Sequence, residues 1–351
     1  MATRDSALEI WSSAIDTFPL CGTTREKLEA LIPFAIKAPS SHNSQPWLFR
    51  LVGDALELRA DRGRRLPVVD PDDRELTISC GAALGCIEIA LHNFGYQGAI
   101  GVVPPGEDPN LLARIQLGEP RDVTPMDRAL FAAIPERRTH RLPFLPRAPN
   151  ADVFTALETF GQQHGVWFRI LQSESNELTL AELITEGDRE QMANPAFREE
   201  LAGWLTPNRS KSRDGMPGWT FGLGPVGSVS IPLIVRTFDT GDGRAAIDRD
   251  LVSRSSILAV VGTATDTPGD WVQTGRVLIQ VLLRATVEGM AASFLNQPIE
   301  IPALRLRVAQ MLGVSGCPQL ILRMGYPTRQ DRRTPRRDST EVLEVSHGKP
   351  L

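Results

Sequence analysis

The sequence predicts an α+β fold built from two similar halves, and a repeated pattern is the main reason. The segment 80–95 has apolar residues at helical spacing and ends in glycine, and the segment 274–289 has the same form. Each is followed by a proline-containing segment and then by an apolar strand that ends in a glycine turn, at 111–117 and 320–324. Units of this kind commonly pack about a pseudo-twofold axis. We therefore expect two fused half-repeats that form an intramolecular pseudo-dimer.

Alignment of the two halves also gives their boundary. The repeat pairs Gly81 with Gly275, Leu84 with Leu278, Gly95 with Gly289 and Pro104 with Pro298. Thr124-Pro125 precedes a new helix expected over 126–134, so the first half is expected at 1–125 and the second at 126–351. A stretch rich in glycine and proline, around 204–235, is the expected lid of the second half.

Composition narrows the class of protein. The chain has 351 residues, 42% of them hydrophobic and 23% charged, and a net charge of −4, which is too small to recruit nucleic acid or an anionic membrane. Apolar runs such as 256–262 are shorter than the roughly 18 residues of a membrane helix. The first ten residues lack the apolar core of a signal peptide. The four cysteines and five histidines are dispersed, so we expect a cytoplasmic protein without structural disulfides or metal.

A polar loop at 38–47 is the first candidate site. It follows an apolar helix expected over 28–36, and two prolines enclose short hydrogen-bonding side chains. The candidate residues are Pro39, Ser40, Ser41 and Asn43. The loop either presents hydroxyl, amide and backbone groups to a polar ligand or is a capped turn between helix and strand.

Arginine-rich segments are candidates for binding a phosphate. Arg137, Thr139 and Arg141 alternate, so in an extended chain they point to one side. Two guanidiniums and a hydroxyl suit a phosphate monoester, although a solvated basic patch would have the same sequence. The segment 329–337 holds five arginines, Arg336 and Arg337 among them, and is either a flexible basic tail or a second clamp on the same phosphate.

Two further segments contain suggestive patterns, and only the first of them is kept as a candidate site. At 296–302, prolines on both sides of Glu300 indicate a stiff loop that aims a backbone N–H at a ligand, or else a surface carboxylate. At 222–227 the chain spells GxGxxG, but Pro225 interrupts it and the preceding segment is turn-rich. This match lacks the strand and helix of a dinucleotide-binding fingerprint, and a mobile loop is the better interpretation.

Together these segments resemble the nitroreductase family, and more closely its Acg-like branch of fused, two-lobed flavoproteins. The resemblance covers about 28–337 and rests on the order of its blocks, which are 38–47, 66–71, 78–84, 137–141, 296–300, 323–327 and 334–337. It implies an α+β sandwich in which the two halves share FMN at their interface.

The resemblance also implies roles for individual residues. Arg137, Thr139 and Arg141 would hold the FMN phosphate, helped by Arg336 or Arg337. The loop residues Pro39 to Asn43 would reach the flavin from the other half. The residues beside the isoalloxazine would be Gln297, Pro298 and Glu300, with the Glu300 N–H near N5. Ile301 stands where many relatives have glycine, which changes the pocket there.

One complete site per chain is expected, because the motifs are divided unequally between the halves. The first half has the Pro-Ser-Ser loop but only Thr23-Thr-Arg25 in place of the arginine clamp, and the second half has the clamp but only 160–164 in place of the loop. The expected protein is a monomeric pseudo-dimer.

Three functions stay open. The first is an FMN-dependent oxidoreductase that passes electrons from NAD(P)H to a small-molecule acceptor such as a nitroaromatic or quinone, with chemistry centred on the flavin and no catalytic side chain assigned. The second is a protein that sequesters FMN under a lid, in a poorly reactive state. The third is a specialised FMN dehydrogenase of a biosynthetic pathway.

Overall fold

The computed structural model describes residues 10–11, 18–103 and 108–344, so Pro104 and most of the first ten residues lie outside the described part.

The first helical region is divided in two. The single helix expected over 28–36 is instead α1 (Thr24–Glu29) and α2 (Ile32–Ala35). Pro33, which has no N–H to donate, stands in the first turn of α2. A proline is tolerated there and interrupts a longer helix, which explains the correction.

The first half then forms an antiparallel sheet against one long helix. Its elements are β1 (Trp47–Val52), β2 (Ala55–Ala60), α3 (Arg74–Asn93), β3 (Tyr96–Val102) and β4 (Leu111–Pro120). The sheet order is β1-β2-β4-β3, and β1 and β2 are joined by a two-residue turn at Gly53 and Asp54.

The second half begins with two helices and a strand, and a large insertion follows them. The elements up to β5 are α4 (Pro125–Ala133), α5 (Ala151–Gly161) and β5 (Val166–Ile170). The insertion contains α6 (Glu174–Ala193), α7 (Pro195–Trp204), β6 (Leu205–Thr206), β7 (Met216–Pro217), α8 (Pro225–Thr237) and α9 (Gly241–Ser253). The GxGxxG match joins a turn to α8, which starts at Pro225, so it has no βαβ context.

The rest of the second half repeats the plan of the first. Its elements are β8 (Ile257–Thr263), α10 (Pro268–Val287), β9 (Ala291–Phe294), α11 (Gln297–Glu300), α12 (Pro302–Leu312), β10 (Cys317–Gly325), α13 (Ser339–Val342) and β11 (Leu343–Glu344). The sheet order is β5-β8-β10-β9, again antiparallel throughout. Position by position, this matches the first sheet, with α3 and α10 each placed between the second and third strands.

The halves meet along α3 and α10. A Cβ added at Gly81 would collide with the backbone of Val272, and one added at Gly275 would collide with the backbone around Ile78 and Ala82. Each helix also packs into the other half's core, since Ile279 belongs to the cluster around α3 and Ile78 to the cluster around α10. Glycine at both positions allows the helices to approach this closely.

By length and composition, helix α3 could cross a membrane. This differs from the expectation that the apolar stretches of the chain are too short for a membrane helix. In the structure, 89% of that stretch is buried inside the protein. Its apolar character is therefore explained by its place between the two halves.

The chain finally returns to the first half. β11 pairs in parallel with β1, with Phe49 opposite Leu343. The arginine-rich segment before it is therefore held against the first half, and the flexible-tail interpretation of 329–337 is wrong, because Arg336 and Arg337 are only 2% and 7% exposed.

Candidate functional site

A cavity of about 960 Å³ lies between the two halves. The first half contributes Trp11 and residues of 39–43 and 75–79 to its wall. The second half contributes residues of 137–143, 188–251, 293–300 and 331–336, with Leu278, Leu320 and Arg323. This volume is at the upper end of the 300–1,000 Å³ usual for small-molecule sites.

Most residues predicted for the site line this cavity. They are Pro39, Ser40, Ser41, Asn43, Arg137, Thr139, Arg141, Gln297, Glu300 and Arg336. Pro298 and Arg337 are outside its described lining. The Arg337 guanidinium instead donates to the Gln45 and Glu341 carbonyls at 3.1 and 3.0 Å. Of the two arginines offered as a second clamp, Arg336 is the one at the cavity.

The polar loop is a tight turn with unusual backbone angles. Ser41 to Asn43 form a 3-10 turn, and His42, Asn43 and Gln45 have φ of 52°, 56° and 53°. Ser41 Oγ donates to Glu75 Oε2 at 2.6 Å. Asn43 Nδ2 donates to the Gly215 carbonyl at 2.9 Å. The loop thus shapes the cavity wall and ties it to the insertion.

Two buried arginines stand together at one end of the cavity. Arg137 is 5% exposed, the only hydrogen bond of its guanidinium among the described residues is a long one to the Lys37 carbonyl (3.5 Å), and its Nε lacks a partner there. Arg336 donates to Asn43 Oδ1 at 2.7 Å, and its Nε also lacks a described partner. Burial lowers the pKa of Arg137 to about 10. Burial, followed by the charge of Arg137, lowers the pKa of Arg336 to about 9.

Neither arginine has a carboxylate within ion-pairing distance in the described chain. Burying a cation without a counter-charge is costly, and two of them side by side repel each other. An anion at this end would offset both costs. The pair therefore fits a phosphate monoester such as that of FMN.

Arg141 faces a different group of charges. Its guanidinium lies 5.3 Å from the centre of the Phe221 ring, and its pKa falls to about 10, first by burial and then by the charge of Arg244. The fully buried Arg323 donates through Nη2 to the His140 and Leu142 carbonyls, while its Nε and Nη1 have no described partner. Arg137, Thr139 and Arg141 all line the cavity, and their joint contact with one phosphate stays a prediction.

The segment 296–302 is helical, so the stiff loop expected there is wrong. Pro298 and Pro302 stand in the first turns of α11 and α12, where proline is favoured. The Glu300 N–H donates to the Asn296 carbonyl at 3.0 Å within this turn. Glu300 Oε2 accepts from Gln191 Nε2 at 2.5 Å. Burial, with the Glu75 charge second, raises the pKa of Glu300.

A carboxylate pair that the sequence did not single out also lines the cavity. Gln297 Nε2 donates to Asp188 Oδ1 at 3.0 Å and to Asp248 Oδ2 at 2.8 Å. Arg244 Nε lies 2.9 Å from Asp248 Oδ2. Burial, with the charge of Asp248 second, raises the pKa of Asp188 to about 7. No sequence signal marks this pair, because acidic residues on polar helices usually face solvent.

The insertion closes the cavity with an apolar wall. The side chains come from α6 to α9 and the segments between them: Met192, Phe197, Leu201, Leu205, Met216, Trp219, Phe221, Leu223, Ile231, Ile234, Val235, Ile247 and Leu251. The site therefore combines a cationic end with a large apolar surface, the arrangement needed to bind a flat ring system that carries a phosphate.

The chain is similar to known proteins along most of its length, although no family model matches it. A Mycobacterium tuberculosis protein named "Putative NAD(P)H nitroreductase Rv3131" is 31% identical over 325 residues, 91% of each chain. The acg protein of the same organism, also named as an NAD(P)H nitroreductase, is 29% identical over 338 residues, covering 92% of this chain and 96% of its own length.

Solved structures give weaker likenesses. An FMN- and NADPH-dependent nitroreductase from sphigopyxis sp. strain HMH has a TM-score of 0.42 at 15% identity, over 62% of this chain and 99% of its own. A nitroreductase-like protein from Bacillus cereus has a TM-score of 0.39 at 14% identity, over 62% and 96%. The sequence relationship, which spans nine-tenths of both chains, carries the assignment: this chain belongs to the nitroreductase family, in the branch that includes Acg.

Proposed function

We propose that the chain binds one FMN in the cavity and passes electrons from NAD(P)H to a quinone, a nitroaromatic or a similar small acceptor. Relatives named as NAD(P)H nitroreductases along nine-tenths of the chain support the general class, an NAD(P)H-dependent oxidoreductase. The cofactor and the acceptor are the further steps of the proposal.

The observation that carries the cofactor is the pair Arg137 and Arg336. Both are buried at the cavity, both keep an unpartnered Nε, and the described chain brings no carboxylate to either. A phosphate there would receive charge-assisted hydrogen bonds from both side chains. Thr139, from the same extended segment as Arg137, lines the cavity as well and would add a hydroxyl.

The rest of the wall would orient the ring system. Pro39 and Ser40 face the cavity from the first half, and Gln297 and Glu300 face it from the second. FMN supplies two-electron transfer between a nicotinamide and an acceptor, and the protein's part is to position both and exclude water. The apolar side chains of the insertion serve the second purpose.

We further propose one such site per chain, with halves at 1–125 and 126–351 and a lid around 204–235. The matching sheet orders support the division. In the first half, the segment that would take the place of the clamp begins with Thr23, which accepts from the Glu26 N–H and caps helix α1. The proposed lid contains β6, β7 and most of α8, and its Met216 and Ile231 reach the cavity.

Sequestration of FMN is the second candidate function. Apolar residues of the insertion cover the cavity, and Asn43 ties the insertion at Gly215 to the first-half loop. A cover of this kind would limit access of a nicotinamide to the ring. The two functions share the cofactor and differ in its reactivity.

Anaerobic reduction tests the proposal. The purified protein should hold one FMN per chain, and NADPH or NADH should bleach its visible absorbance rapidly. A flavin that stays yellow under both nicotinamides would favour sequestration, and a chain that ignores added FMN would overturn both. Arg137→Ala with Arg336→Ala should abolish flavin retention, whereas Arg329→Ala, whose side chain is 56% exposed, should not.

A further inference from the structure

The cavity contains a second polar centre, far along the chain from the phosphate-binding segments. Asp188 from α6 and Asp248 from α9 are 2% and 0% exposed, and both line the cavity. Gln297 Nε2 donates to one oxygen of each, at 3.0 and 2.8 Å. The remaining oxygens, Asp188 Oδ2 and Asp248 Oδ1, are buried without a hydrogen-bond partner in the described chain.

Two buried carboxylates that share one donor cannot both stay ionised at low cost. Arg244 is the cation beside them, 2.9 Å from Asp248 and 3.8 Å from Asp188. One arginine balances one negative charge, so a proton held between the two free oxygens would remove the second charge. In accordance with this, burial and the neighbouring Asp248 raise the pKa of Asp188 to about 7.

A cation next to the pair, with two nitrogens that have no described partner, indicates where a ligand would bind. Arg323 is 0% exposed and lines the same cavity, and its Nε and Nη1 have no partner among the described residues. Burial lowers the pKa of Arg323 to about 10, and the nearby charge of Asp248 partly offsets this effect. A guanidinium with two free N–H groups suits a carbonyl or nitro oxygen.

We propose that Arg323 binds an oxygen of the acceptor and that Asp188 and Asp248 share a proton that is delivered to it. This inference rests on the proposed function and names the part of the chain that completes the reduction. A quinone becomes a hydroquinone by gaining two electrons and two protons. A hydride equivalent that originates from NAD(P)H brings both electrons and one proton.

The aspartate pair supplies the second proton. The carboxyl O–H bond breaks, a phenolic O–H bond forms on the acceptor, and both carboxylates are ionised until solvent returns a proton to one. A nitro group reduced to nitroso and water needs the same additional proton. The charges that act on the pair are Arg244 and Arg323, so the pair is protonated below about pH 7 and loses its proton above it.

Asp188→Asn is the direct test, because an amide has the shape of a protonated carboxyl and can donate to Asp248, but it has no proton to deliver. The matched control is Asp242→Asn, which removes a surface carboxylate that is 88% exposed and paired with Arg189. Both proteins, loaded with FMN, are reduced chemically with dithionite and mixed anaerobically with menadione. We expect oxidation of Asp188→Asn to be about 100-fold slower than that of the control.

The pH profile separates a proton donor from a structural residue. The wild-type rate should fall above pH 7, and Asp188→Asn should lose this dependence. Equal rates in the two variants, or an unchanged profile, would overturn the proposal. Because dithionite replaces the nicotinamide, failure of NAD(P)H to reduce the wild type would sink the proposed function and leave this result standing.

A measurement without cofactor tests the shared proton itself. Carbon-13 NMR of protein labelled at the aspartate carboxyls should show one group titrating near pH 7 in the wild type and in Asp242→Asn, but not in Asp188→Asn. Asp70, whose pKa burial raises to about 6, should titrate alike in all three proteins. Spectra in which Asp188→Asn removes no group that titrates above pH 6 would refute the shared proton.

Discussion

Gly81 and Gly275 touch through their backbones where α3 and α10 cross: a Cβ on Gly275 would lie 2.7 Å from the Gly81 carbonyl carbon and 2.6 Å from the Ala82 nitrogen. Real Cβ atoms do not approach backbone so closely. Gly81 and Gly275 occupy equivalent positions in the sequence repeat, and in the fold they meet at the interface between the halves. Their contact fixes how closely α3 and α10 approach each other.

Gly275→Ala should therefore destabilise the protein, by about 1–3 kcal/mol, since one methyl group forces the helices apart. Urea denaturation measures the effect. Gly203→Ala is the control, because a Cβ there meets nothing within 4 Å, and it should be neutral or stabilising by up to about 1 kcal/mol. Equal stability of the two variants would contradict the close contact.

The ion pair between Glu88 and Arg276 joins the same two helices. Arg276 Nη2 and Nε lie 2.7 and 3.2 Å from the Glu88 carboxylate oxygens, and the side chains are 7% and 11% exposed. Glu88→Ala leaves the arginine buried without its partner and should cost about 3–5 kcal/mol in urea denaturation. Replacing both residues by leucine should restore most of the loss. If the double variant is no more stable than Glu88→Ala, the cost does not come from the unpaired arginine.

Arg137→Met should make the ligand-free protein more stable. Burial holds the pKa of Arg137 at about 10 instead of 12.5, so keeping it charged costs about 3 kcal/mol that an apolar side chain avoids. The same variant should lose the rise in melting temperature that added FMN gives the wild type. A ligand-free variant that melts below the wild type would show that Arg137 has an internal partner.

His42 gives an acid dependence of stability. Burial lowers its pKa from 6.5 to about 4, so between these values the unfolded chain binds a proton that the folded protein does not. Stability should be complete above pH 6.5 and fall as the pH drops to 4, by about 3 kcal/mol. His42→Asn, which tolerates the positive φ, should flatten this part of a pH series of urea denaturations. Parallel curves for the two proteins would argue that His42 is protonated when folded.

The sequence was sufficient for two helices and the strands that follow them, because these signals are local. Helical spacing with a terminal glycine predicted α3 and α10, and apolar runs predicted β4 and β10, whereas β3 and β9 between them were missed. The limits of α1 and α2 were missed, since whether Pro33 interrupts or starts a helix depends on the packing around it.

The candidate site could be predicted from the sequence only where several of its residues are close together along the chain. The loop at Pro39 and the segment at Arg137 are short motifs, and both reached the cavity. Asp188, Asp248 and Arg323 come from three elements, and only the folding of the insertion onto β10 brings them together. Alternation predicted a shared face for Arg137 and Arg141, and both line the cavity, but alternation alone does not predict which group each guanidinium contacts.

Both halves of a single chain form the walls of the cavity, so dilution of the protein should not take the site apart. A site formed between two separate chains comes apart when the protein concentration falls below the dissociation constant of the dimer. Here the second wall is supplied by the same molecule, at an effective concentration set by the connecting chain and not by the number of molecules in solution. Affinity for the cofactor should therefore be the same at nanomolar as at micromolar protein.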